Sequence, residues 1–308
     1  MRRRIMAKKL AIAVNGGGML GVGPLQFMCR LESDLGKKLC DKSFAYGGTS
    51  TGSIIAAGLC EGKSAQELMD LYKGNLKKIF DKYSWYKRLN LKCPTYDNSN
   101  LKKILKNEFR GIIRDAKKAL RGEFGGYIKD WDKPIFIPTT HMNGKSVEKV
   151  WDMGDGDIEK WFAILTSCSA PTYFDVVMDG KESYCDGGMW ANDPIMVLES
   201  GLKAKGFTNF KILTFNTGMD TPNTASGNMT QIGWLEYILD EWVARSGKSN
   251  YFECCANIGK ENVFRASPEH NKKIKMDKVD DKTVNEVIEI WDKYYDSVRD
   301  EVLAFMKR

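Results

Sequence analysis

Apolar residues along the chain fall into short runs that end in glycine, each followed by a stretch with helical spacing. Lys9 to Val14 (KLAIAV) is an apolar run that ends at three glycines, the pattern of a buried strand. From Gly23 through Gly36, Leu25, Met28, Leu31 and Leu35 recur at helical spacing. Ser43 to Tyr46 reads as a second short strand. It runs into Gly47-Gly48-Thr49-Ser50-Thr51-Gly52, and the small and aliphatic stretch Ser53 to Leu59 predicts a buried helix. Further strands are predicted at Pro134–Thr140, Ser146–Asp152, Glu182–Cys185 and Lys211–Asn216, with helices over Asp157–Ser169 and Pro194–Lys205. Strands alternating with helices predict an α/β sheet covered on both faces. Beyond residue 220 the pattern turns helical, at Ile232–Ala244 and Val284–Lys307. In the latter, Val284, Val287, Ile288, Trp291, Tyr294, Val298, Val302 and Phe305 make one apolar stripe, as expected of a helix packed on a core.

Composition narrows this picture. The 308 residues are 43% hydrophobic and 28% charged, ordinary for a globular protein and unlike a disordered or collagen-like one. No run approaches the ~18 apolar residues of a membrane-spanning helix. Met1-Arg2-Arg3-Arg4 followed by Ala11 to Leu25 superficially resembles a signal peptide. Asn15, the three glycines and Pro24 break the continuous apolar helix such a peptide needs, so a cytoplasmic protein is expected. The eight cysteines form no C-x-x-C pair and only His141 and His270 are present, so no metal site and no cofactor is expected.

The net charge of +7 is unevenly distributed. Lys73 to Lys133 holds 17 basic and 7 acidic residues, and the rest of the chain is slightly acidic. Lys77-Lys78, Lys87-Arg88, Lys102-Lys103 and Lys117-Lys118 punctuate this segment, interleaved with Phe80, Tyr83, Trp85, Tyr86 and Tyr96. A solvated helical face, an anionic lipid surface and a nucleic acid all suit such a run. No zinc-finger, RRM or P-loop signature accompanies it, which makes nucleic acid the weakest of the three.

Three glycine motifs carry the candidate chemistry. Gly48-Thr49-Ser50-Thr51-Gly52 is G-x-S-x-G between a strand and a helix. In that context the turn lifts the serine hydroxyl clear of the sheet, and the helix N-terminus faces it. Gly16-Gly17-Gly18-Met19-Leu20-Gly21 also fits the dinucleotide pattern G-x-G-x-x-G. The acidic residue at the right distance, Asp41, precedes the second strand instead of closing it, which weakens that reading. The alternative use of the glycines is an oxyanion hole, with the N–H groups of Gly17 and Gly18 facing a developing negative charge. Asp186-Gly187-Gly188 closes a strand and can point a carboxylate into a site at the sheet edge. Ala170–Phe174 and Ala191–Pro194 are expected beside it. Only His270 follows the acid, within a polar run, so the chemistry is expected to proceed without histidine.

G-G-G-x-x-G, G-x-S-x-G about 30 residues later and a distant D-G-G, in that order, resemble the patatin-like phospholipases. The resemblance runs from about Lys9 to Gly218. It implies a three-layer α/β/α sheet sandwich with a helical C-terminal extension. The corresponding organisation is a basic tail over residues 1–8, an acyl hydrolase domain over 9–220 with residues 73–133 as a cap, and an extension over 221–308. It further implies a Ser50–Asp186 dyad, an oxyanion hole at Gly16, Gly17 and Gly18, an elbow of Gly48, Thr49, Thr51 and Gly52, and an acid loop of Gly187 and Gly188. The implied substrate is a lipid or lysophospholipid ester, cleaved without a metal. Asn15 departs from the family's frequent Asp before the glycines, and Leu20 from a common basic residue in the loop. Two competing readings are a catalytically silent lipid-binding protein of the same fold and a nucleic-acid-binding protein. Lys77, Lys78, Trp85, Lys87 and Arg88 are the expected contacts with an anionic membrane surface, with cations outside the bilayer and rings at headgroup level.

Overall fold

The computed structural model describes residues 7–84, 93–110, 126–217, 247–270, 272 and 274–308, and within 218–246 residues 219, 220, 230, 233, 234 and 237. Trp85, Lys87, Arg88 and nearly all of the predicted helix 232–244 therefore lie outside the described residues.

One mixed sheet organises the molecule. Its central strands are β1 (Lys9–Val14), β2 (Ser43–Gly48), β3 (Ile135–His141) and β7 (Phe210–Phe215), all parallel. β4 (Glu148–Asp152) and β6 (Glu182–Asp186) pair antiparallel with β3, β5 (Val177–Asp179) extends the edge beyond β6, and β9 (Val263–Ala266) closes the other edge beside β7. β8 (Met219–Asp220) and β10 (Glu269–His270) form a separate parallel pair. The apolar runs that predicted strands are the ones buried on both faces. Alternation within β1 explains how: Leu10, Ile12 and Val14 enter one core, while Ala11 and Ala13 enter the other.

On the first face lie α1 (Val22–Leu35), α3 (Thr51–Cys60), α4 (Ala65–Ile79), α5 (Ser99–Glu108), α6 (Lys160–Cys168) and α10 (Asp281–Lys307). The smaller second core is covered by α8 (Ile195–Ala204) and α9 (Lys248–Ile258), through Ile195, Leu198, Leu202 and Cys254. The short helices α2 (Leu39–Lys42) and α7 (Gly188–Ala191) complete the set used below. This is the expected α/β/α sandwich. The residues beyond 220 are not all helical, however. They also supply β9 to the sheet, because Val263 and Phe264 are apolar enough to cover the edge of β7. Four residues are too short a run to register as a strand by periodicity.

α4 begins at a capping box in which Ser64 and Glu67 satisfy each other's backbone N–H groups. Lys77 and Lys78 sit in its last turn, where cations suit the helix dipole, and Lys77 bridges Asp281 at 2.8 Å. That pair is largely exposed and contributes little to stability.

The stripe of α10 packs along α1. Val284, Val287, Trp291, Val302 and Phe305 are buried, as is Tyr295 beside them. Phe27 of α1 meets Tyr295 and Trp291 edge to face, with centroids 4.8 and 6.2 Å apart. Gly23 faces the Trp291 indole so closely that no Cβ fits between them. Replacing Trp291 by Ala is expected to cost about 3–5 kcal/mol. A lower urea midpoint with unchanged m-value is the expected readout; a loss under about 1 kcal/mol would show that α10 is not an integral part of the core.

Candidate active site

The cleft forms where the C-terminal ends of β1, β2 and β6 meet. Ser50 follows β2 and has φ 53° and ψ −128°, an uncommon backbone for a residue with a Cβ. Several contacts enforce it. A Cβ at Gly48 would strike the carbonyl of Gly52, and one at Gly52 would strike the carbonyl of Val14, so both flanking positions admit only glycine. The Thr49 N–H donates to Val14 O at 3.2 Å, and the Thr49 hydroxyl donates to Ala191 O at 2.6 Å. The Ser50 N–H donates to the buried Ser167 hydroxyl at 3.0 Å. α3 starts immediately after, with Gly52 N–H and Ser53 N–H donating to the carbonyls of Thr49 and Ser50 at 2.8 Å. Its N-terminus therefore points at Ser50.

Asp186 ends β6 and is 5% exposed. Its N–H donates to Ser169 O at 2.9 Å, its carbonyl accepts from the Thr140 hydroxyl at 2.8 Å, and its Oδ1 accepts the Gly188 N–H at 2.7 Å. Gly187 lies against the carbonyl of Pro138 in β3 with no room for a side chain. Burial pushes the carboxyl up to about 7, and the hydrogen bond from Gly188 and the influence of the Ser50 hydroxyl only partly oppose this. Among the described residues no Lys or Arg lines the cleft. Desolvation without a neighbouring cation therefore sets the carboxyl's acidity.

The glycine loop supplies the third side. The Gly16 N–H is already committed to Asn192 O at 3.1 Å. Gly16 therefore has no free N–H to offer, whereas among the described residues no acceptor takes the N–H of Gly17 or Gly18. A side chain on Gly16 would run into Asn192 Oδ1 and the Cβ of Ser50, and one on Gly17 would run into Thr217. Thr217 also holds the loop, its hydroxyl donating to Gly16 O at 3.0 Å, and the Tyr72 hydroxyl donates to Gly18 O. Asn15 precedes the loop; with its amide oriented to satisfy its neighbours, the nitrogen donates to Asp193 Oδ1 (3.2 Å) and Phe215 O (3.1 Å). An aspartate there would face the carboxylate of Asp193, which explains the departure seen in the sequence. Asp193 is itself buried, accepting the Ile195 N–H at the start of α8 and pairing with Arg265 of β9 at 2.5 Å.

Ala170, Pro171, Tyr173, Met189, Asn192 and Met276 complete the walls. The first three and Asn192 belong to the stretches expected there. Met276 is a wall that sequence spacing did not reveal, like Ser167, Thr217 and Tyr72 beneath the surface. Met276 is held over the glycine loop by the Met19 N–H, which donates to its carbonyl at 2.7 Å. Tyr96 couples two walls: its backbone N–H donates to Tyr173 O, and its hydroxyl donates to Asp277 at 2.7 Å. Neither histidine enters the cleft. His141 stacks on Tyr184 and pairs with Glu182, and His270 lies on β10. Among the described residues no three metal-ligating side chains converge.

The sequence pattern of the patatin-like phospholipases matches residues 12–199, more than half of the chain. The chain belongs to the patatin-like phospholipase family. This patatin-like chain is similar to the intracellular phospholipase A2 of Caenorhabditis elegans, at 28% identity over 208 residues, covering 66% of this chain and 18% of that protein. It is also similar to the cGAMP-activated phospholipases of Escherichia coli (28% over 194 residues; 59% of this chain, 52% of that one) and Vibrio cholerae (29% over 205 residues; 60% and 55%). The chain thus spans about half the length of its bacterial relatives and under a fifth of the nematode one. Among solved structures, the ExoU–SpcU complex of Pseudomonas aeruginosa aligns over 98% of this chain and 53% of that one, with TM-score 0.49 and 15% identity.

The acidity of Asp186 gives a signed expectation. Its folded-state pKa lies above the unfolded value, so the stability cost is absent below about pH 4. It grows as pH rises and is complete above about pH 7. Asp186→Asn removes that cost, so its stability relative to wild type should improve by about 2–3 kcal/mol between pH 5 and pH 8. Urea unfolding at the two pH values measures the difference; a flat difference would mean an ordinary carboxylate.

Proposed function

We propose that this member of the family hydrolyses fatty-acyl esters of lipids with Ser50 as nucleophile and Asp186 as its base. The observation that carries the reading is the pairing of a serine on a strained elbow with a buried carboxyl that has no cation beside it and an acidity near neutrality. A carboxylate near 3.9 would be too weak a base at neutral pH, whereas one near 7 accepts a proton readily while remaining partly ionised. Asp186 takes the Ser50 hydroxyl proton as Oγ bonds to the ester carbon. The carbonyl oxygen becomes anionic and accepts the N–H groups of Gly17 and Gly18. The intermediate collapses, the ester C–O bond breaks, and the leaving alcohol takes the proton back from Asp186. Water then attacks the acyl-enzyme with Asp186 again as base, freeing the fatty acid.

A lipid surface as substrate is supported by what surrounds the cleft. Beyond the level of Asp186, the β3–β4 turn carries Met142 and Val147 exposed, Val176 is exposed just before β5 and Met178 within it, and Met189 is exposed at the mouth itself. The basic segment runs past the same walls, since Thr95 and Tyr96 donate their N–H groups to the carbonyls of Thr172 and Tyr173. Tyr83 hydrogen-bonds Asp175 there at 2.7 Å. The cleft has a volume of about 60 Å³, far less than the ~300 Å³ of a small ligand pocket. An acyl chain therefore enters only when Met276, Tyr173 or Met189 swings aside, a movement that contact with lipid would favour.

Ser50→Ala and Asp186→Asn should each lower hydrolysis of a p-nitrophenyl ester by at least about 10². His270→Ala should stay within a few-fold of wild type, and a fluorophosphonate probe should label Ser50 alone. Intact protein that neither reacts with the probe nor turns over a lipid would favour the silent lipid-binding reading. Replacing Lys77, Lys78, Lys87 and Arg88 with Gln should weaken binding to anionic vesicles and lipid hydrolysis together, most at low salt, while sparing the soluble ester. Equal loss on both substrates would assign those residues to the fold instead.

A further inference from the structure

At the opposite end of the central strands from Ser50, the sheet opens on a second cavity of about 540 Å³. Lys8 and Lys9 enter it at the start of β1, Lys42 and Lys133 at the start of β2 and β3, and Lys211 from β7. Lys307 and Arg308 come from the end of α10. Seven cations thus share one concavity with two carboxylates, Asp41 and Asp132. Among the described residues none of the seven is in an ion pair, although Lys63, Lys149, Lys160, Lys205 and Arg265 elsewhere all have carboxylate partners.

Neutral groups hold four of the seven, Arg308 by donating to Glu261 O at 3.4 Å. Lys211, 4% exposed, donates to Phe305 O at 2.7 Å and Met306 O at 3.2 Å. Lys133 donates to Ser43 O at 2.8 Å and to Cys40 O, and Lys8 to Asn262 Oδ1 at 2.6 Å. Carbonyls hold an ammonium group in place without cancelling its charge. Burial lowers the pKa of Lys211, and the nearness of Arg308 and Lys42 lowers it further, so the like charges feel one another. A low-dielectric concavity lined by one sign of charge concentrates counter-ions. Its volume lies within the ~300–1,000 Å³ of ligand pockets and well above what a single phosphate needs. Leu10, Phe44 and Met306 add an apolar wall.

We propose that this cavity is a binding site for a soluble nucleoside polyphosphate, with the phosphates on the lysine cluster and the base against Phe44. A phospholipid headgroup offers the same phosphate chemistry. The cavity, however, lies at the far end of the strands from the cleft, so it faces away from any membrane the cleft meets. A bound anion relieves the repulsion among the cations, and β1 and β2 run from this cavity directly to the glycine loop and the elbow.

The test uses the full chain and ATP at low ionic strength, with calorimetry and thermal unfolding. ATP should bind and raise the unfolding temperature. Lys9→Gln/Lys42→Gln/Lys307→Gln, three exposed side chains with no role in the cleft, should weaken binding at least about tenfold. Ester hydrolysis should be unchanged, and unfolding without ligand should occur at the wild-type temperature or slightly above it, since the substitutions also remove repulsion. Lys102→Gln/Lys103→Gln, outside the cavity, should bind ATP as wild type does. The proposal is overturned by any of four results: no binding of ATP, equal loss in the control pair, displacement of ATP by sulfate at matched ionic strength, or a triple variant that loses binding to phosphoinositide vesicles but keeps ATP.

Discussion

The site depends on how closely three stretches of backbone approach one another around Gly48 and Gly52. The carbonyl of Val14 occupies the space a side chain on Gly52 would need, and the carbonyl of Gly52 does the same to Gly48. This contact brings the end of β1 against the start of α3. It also places the glycine loop, which continues directly from Val14, beside Ser50. Ser50, the N-terminus of α3 and the N–H groups of Gly17 and Gly18 are therefore brought together by one packing event between parallel strands. The unusual backbone of Ser50 is held by neighbours that cannot retreat, because α3 is buried along nearly its whole length.

Two buried aspartates seven residues apart show how surroundings assign roles. Asp193 has Arg265 at 2.5 Å and the Ile195 N–H at the start of α8, and it ties β9 to the loop that carries Asn192. Asp186 has a backbone N–H and a serine hydroxyl but, among the described residues, no cation, so burial raises its pKa towards neutrality. One is a fastener and the other is available to exchange a proton. The local D-G-G motif marks Asp186, but the difference in charge environment is made by an arginine more than seventy residues from Asp193.

Much of this was legible in the chain itself. β1, β2, β3 and β7 are buried on both faces and so announce themselves as apolar runs, and α1 and α10 show their stripes because each buries only one side. The three glycine motifs are legible because backbone crowding leaves no other residue possible at those positions. What stayed hidden depends on long-range contact. Ser167 and Thr217 support the site through single hydrogen bonds and Tyr72 through two, to Gly18 and Thr51, none of which leaves a periodicity, and Met276 lies in a largely polar stretch. The Gly16 N–H is taken by the carbonyl of Asn192, a residue far along the chain. α4 carries its own start signal in the chain, the Ser64–Glu67 capping box.

Gly23 and Trp291 close the fold from opposite ends of the chain. The indole fills the space where a side chain at position 23 would be, so neither residue can change by itself. A methyl group at 23 collides with the ring, and a smaller residue at 291 leaves a void over a bare patch of helix. Viable descendants of this sequence must either keep both residues or exchange bulk between them in step. Drift at this junction is thus confined to paired changes, and the register of the last helix on the first is inherited as a unit.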